Sequence, residues 1–132
     1  MDLYGHDYPT EDGFAVRDYV HVCDLARAHR LALEALWGGH SGGAYNIGTG
    51  HGFSVQQVVQ AVEAECGMHI PVRVAGRRPG DPARLVADST RLRKEFDFEP
   101  LYSDLPTMIR HAWRWQADRL PRLRPSTEDG GQ

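Results

Sequence analysis

Lysine is nearly absent: of fifteen basic residues only Lys94 is a lysine, and the rest are arginines. Cysteine is scarce too. Cys23 and Cys66 stand far apart and in no Cys-x-x-Cys spacing, which argues against a disulfide framework or a zinc knuckle and leaves both thiols to be read as buried. No apolar run approaches the roughly 18 residues that cross a bilayer. Met1 to His6 carries neither a basic region nor an apolar signal core, so no membrane partner is expected and the default location is the cytoplasm. The seven histidines include no His-x-x-x-His pair, so no metal site is expected. A strained Gly-x-Ser-x-Gly elbow for a serine nucleophile is missing as well. Nor is there an excess of positive charge: the net charge is −3, with acids and arginines mixed along the whole length, which speaks against nucleic acid as a partner.

What is present suits a single folded domain. At 132 residues, 41% hydrophobic and 25% charged, the chain is long enough to bury a core without staples and too short for a two-domain enzyme. Asp12-Gly13 reads as a tight turn, and Phe14 to Val22, rich in β-branched and aromatic residues, reads as one or two short strands. Asp24 stands where an N-cap belongs. Leu25, Ala28, Ala32, Leu33 and Leu36 then repeat at helical spacing until Gly38 and Gly39. Ala44 to Ile47 reads as a strand leading through a glycine turn to a second helix, for which Ser54 and Gln57 form a capping box and Gly67 the stop. Ile70, Val72 and Val74 alternate as a half-buried strand. A short helix is predicted from about Ser89 to Phe96, and a longer one opens at Ser103 or Asp104, with Pro106 in its first turn.

The run Gly48-Thr49-Gly50-His51-Gly52 invites comparison with a dinucleotide loop, but the spacing fails. A Gly-x-Gly-x-x-Gly match needs glycine at 53 or 55, where Phe53 and Val55 stand, and no acid lies near Val74 to hold a ribose. The run reads instead as a strand-to-helix turn. The arginines offer more chemistry. A guanidinium presents a planar fork to phosphate oxygens, and hydrogen bonds to charged groups contribute roughly 1.5 to 3 kcal/mol each. Arg17 and the pair Arg77-Arg78 lie on separate loops, as the grip on a diphosphate requires; from spacing alone, solvated surface charge is the better explanation of them. Arg78-Pro79-Gly80-Asp81 favours a ligand, because Arg78 and Asp81 can aim a cation and an acceptor at one polar group.

At these residues the chain resembles a known family. Asp7-Tyr8-Pro9-Thr10, Asp12-Gly13, Arg17-Asp18-Tyr19-Val20-His21-Val22, Asp24-Leu25-Ala26, Tyr45-Asn46-Ile47-Gly48, Phe53-Ser54-Val55, Arg77 to Ala83 and Trp113-Arg114-Trp115-Gln116 are similar, in order, to the C-terminal part of the UDP-glucose 4-epimerases, which are extended short-chain dehydrogenase/reductases. The resemblance runs from about Leu3 to Gln116.

In that family a bound NAD takes hydride from the sugar C4 while the tyrosine of a Tyr-x-x-x-Lys motif removes the hydroxyl proton, and the 4-keto sugar takes the hydride back on its other face. The family's NAD loop and catalytic motif belong to an N-terminal half that this sequence does not match. Four residues before Lys94 stands Thr90, and no Gly-x-x-Gly-x-x-Gly occurs. The resemblance therefore implies an α/β fold, the substrate-binding portion of such an enzyme over residues 1–120, with one strand-helix unit that would complete a Rossmann sheet absent from this chain, and a disordered tail over 121–132. It implies UDP-sugar as ligand, NAD in the full-length enzyme and none bound by this chain alone. Arg17 and Arg78 correspond to the diphosphate-binding arginines, Asp81 to the acceptor of the ribose, Tyr19 to a position lining the uridine pocket and Leu85 to the position that varies in bulk beside the sugar. The expected activity is that of an isomerase interconverting UDP-glucose and UDP-galactose, with little expected of the chain alone. The alternatives are a stand-alone nucleotide-sugar binding module and another NAD-dependent sugar-nucleotide epimerase or dehydratase. Missing sheet neighbours further imply exposed apolar surface on the first helix and on Ala44 to Ile47, and hence a homodimer or a complementing N-terminal chain.

Overall fold

The structure, a computed structural model, describes residues 1–119. Two small sheets and four helices alternate along it. Strand β1 (Asp2–Tyr4) pairs in parallel with β4 (Arg73–Ala75), Leu3 opposite Val74, and Arg73 closes the register by donating to both carboxylate oxygens of Asp2. The second sheet has β2 (Val16–Arg17) at its centre, antiparallel to β3 (Phe53–Ser54) and parallel to β5 (Arg84–Leu85). Of the strand content predicted between Phe14 and Val22, only Val16 and Arg17 find ladder partners. The Asp12-Gly13 turn forms as expected: Gly13 has φ 80°, and a Cβ there would lie 2.3 Å from the carbonyl oxygen of His6.

Helix α1 (Val22–Trp37) ends at Gly38 as the sequence pattern predicts, but its start differs. The N-cap is His21, whose Nδ1 accepts from the Cys23 amide at 2.9 Å. Asp24 lies inside the first turn, fully buried, where its carboxylate accepts from the amides of Leu101 and Tyr102 and from the Ser103 hydroxyl. Helix α2 (Val55–Cys66) carries the complete Ser54–Gln57 capping box and stops at Gly67 in the left-handed conformation, φ 65°. Helices α3 (Thr90–Phe96) and α4 (Leu105–Arg119) follow their predicted spans.

Ala28 of α1, Leu92 of α3 and Phe98 form the buried centre, with Leu31, Tyr45, Ile47 and Phe96 packed around it. Tyr45 and Ile47 thus contribute side chains to the core, yet Ala44 to Ile47 is not a strand: an extended segment becomes one only when a neighbour takes its backbone groups, and no neighbour exists among the described residues. Helix α2 packs against α4, where Val62 and Cys66 face Ile109 and Trp113. Three expectations of burial fail. Cys23 is exposed and Cys66 only half-buried, and Val72 and Val74 stay open because β4 is paired with β1 alone. Helix α1, in contrast, shows the expected uncovered apolar surface: Val22, Leu25, Leu33, Leu36 and Trp37 follow one another along its outward side, Trp37 at 80% exposure. The expected tail, 121–132, lies outside the described residues.

Candidate functional site

The central strand β2 ends at Arg17, and the chain returns beside it as β5 after the loop Gly76 to Ala83. That return sets Arg17 against Leu85 in register and brings the Arg78–Asp81 turn over the strand end. The Arg17 guanidinium is fixed by two backbone acceptors, donating to the Val16 carbonyl at 2.8 Å and the Pro82 carbonyl at 3.0 Å, and lies 3.6 Å from Asp81 Oδ1. Arg78 approaches the other carboxylate oxygen, Nε to Oδ2 at 3.2 Å, with its guanidinium 4.5 Å above the centre of the Tyr4 ring. Gly80, at φ 85°, makes the turn that lets the Asp81 amide bond back to the Arg78 carbonyl at 3.2 Å. Two guanidinium groups from different segments therefore meet at one carboxylate.

The structure separates Arg77 from Arg78, as the Arg78–Asp81 spacing suggests. Arg77 turns the other way, pairs with Asp7 at 2.7 Å and lies 4.2 Å over the Tyr8 ring, so it braces the first loop. Leu85 is 60% exposed and, with Arg17, lines a cavity of about 370 Å³ whose other walls include Asn46, Ile47 and Asp88. Tyr19 is half-buried; burial pushes its phenol up, and the positive charge of Arg17 opposes that shift. Tyr19 does not line the Arg17–Leu85 cavity, so the structure brings Arg17, Arg78 and Asp81 together, sets Leu85 beside Arg17 and leaves Tyr19 to one side.

One residue at this place went unread in the sequence. Asp18 sits between Arg17 and Tyr19, lines the same cavity and gathers the amides of Thr49, Gly50 and Ala87. Its sequence signal was the pairing of an acid with a Gly-Thr-Gly turn, which is invisible until the two are known to be neighbours.

A sequence profile of the NAD dependent epimerase/dehydratase family matches residues 3–48. The UDP-glucose 4-epimerase of Halalkalibacterium halodurans is 46% identical over 116 residues, 88% of this chain and 35% of that protein. The enzyme of the same name from Lacticaseibacillus casei is 46% identical over 115 residues, 87% of this chain and 35% of its own length. Among solved structures, a UDP-glucose 4-epimerase from Stenotrophomonas maltophila, with bound NAD and formylated UDP-arabinopyranose, superposes with a TM-score of 0.87 at 40% identity, over 92% of this chain and 36% of that one. Over most of its length the chain is similar to the C-terminal part of UDP-glucose 4-epimerases. It spans about a third of the length of the curated relatives it matches.

The epimerase family uses NAD, and the described residues do not fit it. A dinucleotide loop holds pyrophosphate on free backbone amides at a helix start. In the glycine run of this chain the amides of Thr49 and Gly50 already bond the Asp18 carboxylate, and at the start of α2 the Gln57 amide is taken by Ser54 Oγ. A carboxylate stands where such a loop would receive a phosphate. Among the described residues no group of three or more His, Cys, Asp or Glu side chains could hold a metal ion, and no helix is long and apolar enough to cross a membrane.

Proposed function

We propose that this chain is the UDP-sugar-holding part of an NAD-dependent UDP-glucose 4-epimerase and that it does not epimerise by itself. The observation that carries the reading is the meeting of Arg17 and Arg78 at Asp81. Arg17 and Arg78 take the two phosphates, Asp81 accepts from the ribose, Tyr19 borders the uracil and Leu85 lies beside the sugar. Two features support the assignment of the cations: Arg17 is held by main-chain carbonyls before any ligand arrives, and Arg78 is steered by the Tyr4 face, so little side-chain freedom is lost on binding. The Stenotrophomonas relative, crystallised with a UDP-sugar, supports the ligand class.

Chemistry at the sugar C4 needs a hydride acceptor and a base, and the chain supplies neither. Its one lysine, Lys94, is exposed on α3 with Thr90 four positions earlier, and its glycine run is closed by Asp18. In this reading NAD and the proton-moving residues belong to the N-terminal part of the enzyme, which also covers α1.

Calorimetric titration with UDP tests the reading. Wild-type chain binds, and Arg78→Ala binds at least about tenfold more weakly, as expected when a charge-assisted pair is lost. Wild-type and variant behaving alike, or conversion of UDP-galactose to UDP-glucose by the chain with added NAD, overturns it. Activity regained on mixing with the N-terminal part of a relative distinguishes the epimerase from a stand-alone binding module.

A further inference from the structure

Asp18 is bonded more densely than its neighbours at the site. Oδ1 accepts from the Thr49 amide at 3.0 Å and the Thr49 hydroxyl at 2.7 Å, and Oδ2 lies 3.1 Å from the Thr49 amide, 3.1 Å from the Gly50 amide and 3.2 Å from the Ala87 amide. The approach requires a glycine at position 48, where a Cβ would lie 2.5 Å from Asp18 Oδ2 and 2.5 Å from the Ala87 Cβ. The carboxylate thus fastens two separate segments to the end of β2: the turn after Ile47 and the chain leaving β5 after Leu85. Asn46 and Ile47 on one side, and Leu85 and Asp88 on the other, are walls of the 370 Å³ cavity that Arg17 and Asp18 also line. The diphosphate grip, Arg17 and Arg78 on Asp81, has no hydrogen bond to the Asp18 carboxylate.

We propose that Asp18 is a positioning residue that sets the spacing of these two walls and thereby the choice among nucleotide sugars, without contributing to the grip on UDP. This rests on the UDP-sugar reading of the same site. The carboxylate is the acceptor that both segments share. An alanine leaves the Gly50 and Ala87 amides without it and frees both walls.

The test compares wild-type chain with Asp18→Ala in two measurements. In titrations with UDP, UDP-glucose and UDP-N-acetylglucosamine, the variant keeps its affinity for UDP while the ratio of the two sugar-nucleotide affinities shifts by about tenfold. In hydrogen exchange on the free chain, the amides of Gly50 and Ala87 exchange at least about tenfold faster while α2 and α4 stay protected. Equal losses for all three ligands, an unchanged ratio, or unchanged exchange at those amides overturns the proposal. Wild-type chain that binds no UDP overturns the UDP-sugar reading and the selectivity role with it, while the exchange rates still decide whether Asp18 fastens the two segments. If Asp18→Ala loses protection throughout, Thr49→Val, which removes the hydroxyl's bonds to Asp18 and to the His51 backbone while keeping the amide bonds to Asp18, takes its place: a sugar ratio that does not move in that variant counts against the role.

Discussion

Asp81 faces two arginines at once, so its charge opposes any anion that comes to the same place. A ribose hydroxyl needs the acceptor, but a bare diphosphate does not. Asp81→Asn is therefore expected to tighten inorganic pyrophosphate by several-fold while weakening UDP; calorimetry with the two ligands checks the opposite trends, and parallel changes would remove Asp81 from the ribose role. Asp24 is a different kind of acid. Burial alone pushes its carboxyl up, but the Leu101 amide, the Ser103 hydroxyl, the Tyr102 amide and the Arg27 guanidinium together outweigh burial and hold it below the ordinary carboxylate range. A group lowered in the folded state stabilises fully above its ordinary value, and that contribution is lost as pH falls through the lowered one. Asp24→Asn should cost about 3 kcal/mol at neutral pH, because buried donors lose a charged acceptor. Urea midpoints of wild type and variant should converge toward low pH, where Asp24 itself becomes neutral.

At the scale of elements, the ends of the helices carry separable energies. Removing the Ser54 hydroxyl leaves the Gln57 amide without its acceptor and breaks the capping box, so Ser54→Ala should lower stability by about 1 kcal/mol in urea denaturation. His21→Ala should cost a similar amount and also frees Nδ1 of His111, which His21 Nε2 meets at 3.0 Å: the Cys23 amide claims the Nδ1 lone pair of His21, so the neutral ring's proton sits on Nε2. Helix α2 was fully legible in the sequence because its cap, apolar face and stop are all local. Helix α1 was legible in extent but not in its cap, since Asp24 satisfies the cap pattern while its real partners lie near residue 102. Ala44 to Ile47 has strand composition without a strand's neighbours, and composition cannot report a missing neighbour. The same limit hid Asp18, whose donors lie more than thirty residues away in sequence, whereas Arg78 and Asp81 were readable because one turn joins them.

At the scale of the molecule, α1 has apolar residues on two sides. One side holds Ala28 in the core, and the other presents Val22, Leu25, Leu33, Leu36 and Trp37 to solvent. A helix apolar on both sides belongs between two layers, and only one layer is present among the described residues. On the proposed reading the second is the part of the relatives' length that this chain does not span, and Ala44 to Ile47, which shares the Ala28 core with α1, borders the place where it would attach. Left uncovered, this much apolar surface favours association. Sedimentation of the isolated chain should show mass rising with concentration, and addition of an N-terminal part of a relative should dissolve those assemblies into a defined one-to-one complex. Leu33→Glu with Leu36→Glu should suppress both behaviours while leaving UDP binding intact, because Arg17, Arg78 and Asp81 are carried by β2 and the loop before β5. A chain that stays monomeric at high concentration and unfolds in one sharp transition would mean that α1 needs no second layer.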